Sequence, residues 1–327
     1  MNTQSKPESL VVENLITSFP AQGRKVAAVN DISFSVPKGK TLGIVGESGC
    51  GKSMTALSIM RLVPQPGYVE GGKIWLHGQN LLALSPNQME KIRGDRVSMI
   101  FQEPMTALNP VLQIGDQISE VFFYHRGLSK SQSQSHVIEM LKAVGIPAPE
   151  KRASEYPHQL SGGMRQRVMI AMALGCQPDL LIADEPTTAL DVTIQMQILE
   201  LMKDLQSQKG MSILFITHDL GVVAEMCEEV VVMYAGRVVE KAPVRELFKN
   251  PQHPYTQGLM ASRIGVTQKR GERLREIKGV VPSLTKMPVG CAFSERCTLA
   301  TDKCRTSQPQ LKEVAIDHSV SCFEVGP

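Results

Sequence analysis

No run of 18 apolar residues occurs in this 327-residue chain, so no segment is expected to cross a membrane as a helix. The opening stretch "MNTQSKPESLVVEN" lacks the apolar centre of a secretory signal. The chain is therefore expected in the cytoplasm, where thiols are kept reduced. Its seven cysteines are an odd number, which fits a disulfide framework poorly. Surplus charge is also scarce. The net charge of +3 is far from the clustered basic face that nucleic acid requires. The densest basic stretch, "QKRGERLREIKG" (268–279), is interrupted by glutamates and reads as a solvated face. Internal repeats and low-complexity blocks are absent as well.

What is present is an ordinary globular balance, 42% hydrophobic and 20% charged, in a length that suits about two domains. Over residues 1–250, β-like and helix-like segments alternate. "TLGIVG" (41–46), "LLIADE" (180–185) and "SILFITHD" (212–219) read as buried strands. "KSMTALSIMRLV" (52–63) and "TIQMQILELMKDLQSQKG" (193–210) have helical spacing, the second ending at Gly210 as a C-cap. This alternation predicts an α/β fold with a largely parallel sheet. "LVVENLITSF" and "DISFSVPKGK" in residues 1–40 predict short antiparallel strands, a β subdomain. Residues 86–175 predict a helical subdomain with loops at "EPMTALNP" and "GIPAPEKRASEYPHQLSGG". Beyond residue 250 proline density rises, and 251–327 reads as a small irregular extension.

"GESGCGKS" (46–53) matches G-x4-G-K-S between a predicted strand and a predicted helix, the setting of a phosphate-binding loop. Gly46, Gly49 and Gly51 let the backbone curl its N–H groups toward phosphate oxygens, and the helix that follows adds its dipole. Lys52 reaches the β- and γ-phosphates and Ser53 offers a hydroxyl to Mg²⁺. The expected binding set of the loop is Gly46, Ser48, Gly49, Cys50, Gly51, Lys52, Ser53 and Met54. "LLIADEP" (180–186) ends a strand with Asp184, suited to hold Mg²⁺, and Glu185, suited to polarise a water. Taken alone this could be a strand ending in two acids; beside the loop it reads as an NTPase.

"LSGGMRQR" (160–167) resembles the signature of ATP-binding cassette (ABC) ATPases, with Met164 in place of the usual glutamine. Ser161, Gly162 and Gly163 would present a hydroxyl and N–H groups at a helix start. The resemblance implies that they close on ATP held by another subunit. It extends in order through Gln102 in "MIFQEP", a Mg²⁺ contact, Asp191 in "TTALD" and His218 in "FITHD", a γ-phosphate contact. It also makes Phe19 the adenine-stacking aromatic. Three roles are open to such a chain: a transporter motor, a soluble protein of DNA repair or translation, and an iron–sulfur assembly ATPase. A single cassette without long insertions, followed by 251–327, favours the first.

"NPQHPYTQGLMAS" (250–262) and "GCAFSERCTLATDKC" resemble the C-terminal region of bacterial peptide-uptake ABC ATPases, a group with dipeptide, oligopeptide and nickel importers. The resemblance implies ATP and Mg²⁺ as cofactors and a second, related ATPase as partner in a heterodimer. It also implies two membrane permease subunits, a periplasmic peptide-binding protein, and a peripheral location on the cytoplasmic face of the inner membrane. No residue distinguishes dipeptide from nickel. Pro254 in "HPYT" reads as the first turn of a helix.

Cys291, Cys297, Cys304 and Cys322 follow the spacing C-x5-C-x6-C-x17-C. It matches neither the paired spacing of zinc ribbons nor the compact ferredoxin run. Disulfides, free buried thiols and a metal site are all open to it, and reduced surroundings favour the metal. The family resemblance points to a [4Fe–4S] cluster, with Zn²⁺ as the alternative, stapling the extension. His318 is a possible substitute ligand and is expected at the surface.

Overall fold

The computed structural model describes residues 8–21, 23–102, 107–188, 190–262 and 277–325. In chain order the elements begin with β1 (Glu8–Ala21), β2 (Arg24–Pro37), β3 (Thr41–Val45), α1 (Lys52–Ile59), β4 (Tyr68–Leu76) and β5 (Gln79–Asn80). Then come α2 (Pro86–Ile92), β6 (Val97–Ile100), α3 (Ile114–Arg126), α4 (Lys130–Ala143), α5 (Pro149–Arg152) and α6 (Gly162–Leu174). β7 (Leu180–Asp184), α7 (Val192–Lys209), β8 (Ser212–Ile216), α8 (Leu220–Met226), β9 (Glu229–Tyr234) and β10 (Arg237–Pro243) follow. The last are α9 (Val244–Lys249), α10 (Pro254–Ala261), α11 (Asp302–Thr306), β11 (Lys312–Ala315) and β12 (His318–Val320).

Two compact units share the chain. The first gathers Met1–Leu10, Val36–Lys40 and Ala83–Phe215; the second gathers Val11–Ser35, Thr41–Leu82 and Ile216–Pro327. In the first unit the strands run in the order β8-β7-β6. β6 pairs with β7 in parallel, Val97 against Leu180, and β7 is buried along its whole length. Four-residue "VSMI" is too short to show a period, which is why a strand hides inside a stretch that reads as helical. Around it α3, α4 and α6 form the helical layer, with a serine capping box at the start of α4.

In the second unit the strand order β11-β12-β10-β9-β3 mixes directions. β3 and β9 are parallel, while β9, β10, β12 and β11 pair antiparallel in turn. A separate sheet has the order β2-β1-β4-β5. β1 and β2 each span 14 residues, longer than their sequence suggests. Asn14 and Asp31 interrupt them with left-handed backbone, a conformation these two residue types tolerate. Asn14 Nδ2 donates to Asp31 Oδ1 at 2.9 Å, so each strand continues through its polar break.

The extension is not all loop. Pro254 sits in the first turn of α10, which His253 caps. β12 joins the edge of β10, Glu240 opposite Val320. The basic stretch 268–279 lies largely outside the described residues.

Candidate functional site

In the second unit, fully buried β3 runs straight into the glycine loop. At Gly46 (φ +153°) a Cβ would sit 2.2 Å from the Met233 carbonyl oxygen, and at Gly51 (φ +103°) 2.5 Å from that of Ala28. Both positions therefore admit glycine only. Gly49 (φ +78°) faces open space, which leaves the loop accessible there, and Ser48 beside it is exposed. Cys50 turns its thiol into the interior, and burial pushes its pKa up; what it can offer an anion is its backbone. Lys52 is 5% exposed. Its Nζ donates to the carbonyls of Gly46 (2.7 Å) and Glu47 (3.1 Å), which folds the ammonium over its own loop. Ser53 and Met54 are half-buried in the first turn of α1. Phe19, half-buried near the end of β1, packs its ring against Gly67, where a Cβ would lie 2.3 Å from Phe19 Cε1. His218 is exposed between β8 and α8. The next residue, Asp219, caps α8 through Gly221 N–H at 2.7 Å.

In the first unit, Asp184 ends β7 and is 4% exposed. Glu185 has φ +47°, a conformation costly for a non-glycine residue and typical of functional turns. Its Oε2 accepts from Gln102 Nε2 (3.1 Å) and Thr188 Oγ1 (2.9 Å). Ser161 caps α6, its hydroxyl accepting the Met164 N–H at 3.3 Å. Met164 contributes only backbone to that bond, so the missing glutamine leaves the cap intact. At Gly163 a Cβ would lie 2.8 Å from Ile194 Cγ2, so α6 starts hard against α7. Asp191 caps α7 through Ile194 N–H at 3.0 Å. The first unit thus joins Gln102 with Glu185, and its signature with Asp191; the second holds the loop, Phe19 and His218.

All four tail cysteines line one small hollow in the second unit, walled by Phe293, Leu299 and Phe323. The Cys291 N–H donates to the Cys304 carbonyl at 2.7 Å, which brings two of them together. Burial pushes the Cys291 thiol up to about 11, with the neighbouring thiols adding to it. Backbone N–H groups of Phe293, Leu299 and Glu324 act the other way on Cys291, Cys297 and Cys322. Neutral thiols sit there without strain; as thiolates, beside the N–H donors, they would form a donor set suited to a cation. Among the described residues, however, no group of three or more His, Cys, Asp or Glu is gathered to hold a metal ion. The metal staple expected from sequence is thus not present as a ready-made ion site.

Protein contacts tie the extension down. Glu240, fully buried, accepts from the backbone N–H of Gln252 (2.7 Å) and His253 (2.9 Å). Its Oε1 lies 2.7 Å from His318 Nε2. His318 is 1% exposed, which corrects its expected surface position: β12 carries it inward, beside a buried carboxylate. Sequence reading also missed Glu47, Tyr255 and Arg296. Arg296 Nη1 and Nη2 grip the Glu47 carboxylate at 2.6 and 2.9 Å. The Glu47 N–H donates to the Tyr255 hydroxyl at 2.8 Å. The only available signal was the place of Glu47 inside the glycine loop.

Residues 29–188 match the family model described as ABC transporter. Residues 239–304 match that of the oligopeptide/dipeptide transporter C-terminal region. The chain is 52% identical to a putative peptide import ATP-binding protein of Brucella ovis, over 98% of each chain. It is 53% identical to the oligopeptide transport ATP-binding protein AppD of Bacillus subtilis, over 96% of each. To the dipeptide transport ATP-binding protein DppD of the same organism it is 49% identical, over 96% of this chain and 94% of that one. Among solved structures it resembles a dimeric ATP-binding cassette in a post-hydrolysis state bound to ADP and Pi. The TM-score is 0.65 at 27% identity, covering 72% of this chain and 99% of that one.

Proposed function

Because this chain belongs to the ABC transporter family, among its peptide-import ATP-binding proteins, we propose that it is the ATP-hydrolysing motor of a bacterial dipeptide importer. The observation that carries the reading is the loop 46–53, with two positions closed to any residue but glycine and a buried lysine at its mouth.

The roles follow from the chemistry of each group. Phe19 stacks on adenine. N–H groups of residues 46–54 and Lys52 take the phosphates. Glu185 orients and deprotonates the attacking water while Gln102 holds its carboxylate in place. His218 reads the γ-phosphate, and Ser161–Gly163 with Asp191 serve ATP on a partner ATPase. Mg²⁺ would be held by Ser53, Gln102 and Asp184 and supplies charge neutralisation at the β- and γ-phosphates. The residues fit this, since two oxygen donors and an amide oxygen suit a hard cation.

For the cysteine hollow the reading is a [4Fe–4S] cluster, with Zn²⁺ as the alternative; its support is that four thiols line one hollow, and thiolates ligate either group. Cys291, Cys297, Cys304 and Cys322 would hold it, and it supplies a structural cross-link. The assembly proposed is a heterodimer with a related ATPase, two membrane permeases and a periplasmic peptide-binding protein. This chain lies on the cytoplasmic face of the inner membrane; no helix among its described residues is long and apolar enough to cross it.

The test is co-purification from native membranes followed by uptake assays in proteoliposomes. Dipeptide uptake driven by internal ATP, with permeases in the complex, is expected. Uptake of longer peptides or nickel alone would move the substrate assignment. Purification without any membrane subunit, together with transfer of clusters to apoproteins, would favour the assembly ATPase.

A further inference from the structure

Glu47 is the second residue of the glycine loop, and all of its polar groups are engaged. Its carboxylate takes both terminal nitrogens of Arg296. Its N–H goes to the Tyr255 hydroxyl and its carbonyl receives Lys52 Nζ. Arg296 in turn spends its remaining donors on the carbonyls of Lys278 (3.0 Å) and Ile277 (3.2 Å) and the Tyr234 hydroxyl (3.3 Å). Its side chain is 5% exposed and that of Glu47 30%, so this is a planar two-point grip by a buried guanidinium on a half-buried carboxylate. Beneath it the rings of Tyr234, Tyr255 and Phe293 pack at 4.7–5.4 Å between centroids, which leaves the guanidinium little room to swing.

The geometry points to Arg296, with Tyr255, as a positioning residue of the nucleotide site: the extension sets the path of the phosphate loop through Glu47. Fixing Glu47 fixes its carbonyl, and that carbonyl with Gly46 holds the Lys52 ammonium where an incoming phosphate must meet it. A loop freed from the grip would have to be ordered by the nucleotide itself, and the ordering cost would appear as lost affinity. The inference rests on the loop binding nucleotide as proposed above.

The experiment is equilibrium binding of MgADP to the purified full-length chain, which avoids turnover. Arg296→Met and Glu47→Gln are each expected to weaken MgADP about tenfold. The double variant should be no weaker than either single, because both remove one contact. Arg296→Lys should recover part of the loss. A merely structural role would lower the melting temperature of the nucleotide-free protein and leave the MgADP affinity alone. Tyr255→Phe keeps the ring and removes only the acceptor of the Glu47 N–H. It covers the case in which Arg296→Met fails to fold, and it should weaken MgADP several-fold. Wild-type affinity in these variants, or additive losses in the double, would overturn the positioning role alone. Absence of MgADP binding by the unsubstituted chain would overturn the nucleotide-site reading and this inference with it.

Discussion

The Gln102 side-chain amide donates to Glu185 Oε2 at 3.1 Å, although the two residues follow different strands, β6 and β7. The register Ile100↔Ala183 explains the meeting: parallel pairing delivers both chains to the same end of the sheet, two residues past the last pair.

Glu185→Gln keeps the shape of this contact and removes the base. In the assembled importer it should retain MgATP binding and lose about 10²- to 10⁴-fold in turnover. Steady-state ATPase with parallel nucleotide binding measures both. Near-normal turnover would take the base role from Glu185.

Ser161→Ala removes the cap of α6 and is expected to cost about 1 kcal/mol of stability. ATPase activity should fall further than that loss explains, because Ser161 is also proposed to serve the partner's ATP. Denaturant unfolding and ATPase assays of the same preparation separate the two. Activity that falls only in step with stability would leave Ser161 as a cap alone.

His253 makes stability sensitive to acid. Burial lowers its pKa from 6.5 to about 4, and its Nδ1 must stay unprotonated to accept the Tyr255 N–H at 3.0 Å. The unfolded chain takes up a proton near pH 6.5 and the folded chain resists until near 4. Stability is therefore full above 6.5 and declines as pH falls through this window, by up to about 3 kcal/mol. Urea midpoints at about pH 7 and about pH 5 should separate more for the parent chain than for His253→Asn. Equal separations would remove His253 as the source.

Protein purified without oxygen should be brown and contain iron and acid-labile sulfide. Cys304→Ser should lower the iron content and leave the glycine loop intact. Colourless protein with stoichiometric zinc would replace the cluster with an ion. Metal-free protein of full stability would leave four free thiols around the hollow.

The glycine loop was legible in the sequence because its spacing records a backbone that only glycine can follow at Gly46 and Gly51. Asp184 and Glu185 were legible because a buried strand rarely ends in acids without use. β6 was not, since four residues carry no period. Nor was the inward turn of His318: burial beside Glu240 depends on the pairing of β12 with β10, a contact between residues 78 apart. Arg296 escaped for the same reason, because a single arginine between two cysteines says nothing about a partner so far upstream.

That separation has a consequence for synthesis. Glu47 and Arg296 lie 249 residues apart, and the glycine loop leaves the ribosome long before its clamp is made. At about 5–20 residues per second the interval is on the order of 12–50 s. Throughout it the nascent loop has its sequence but not the guanidinium that sets its path. A chain stopped before Arg296 would carry every residue of the ATP motif without its anchor, so on the proposed positioning role full competence for nucleotide would wait until residue 296 has been made.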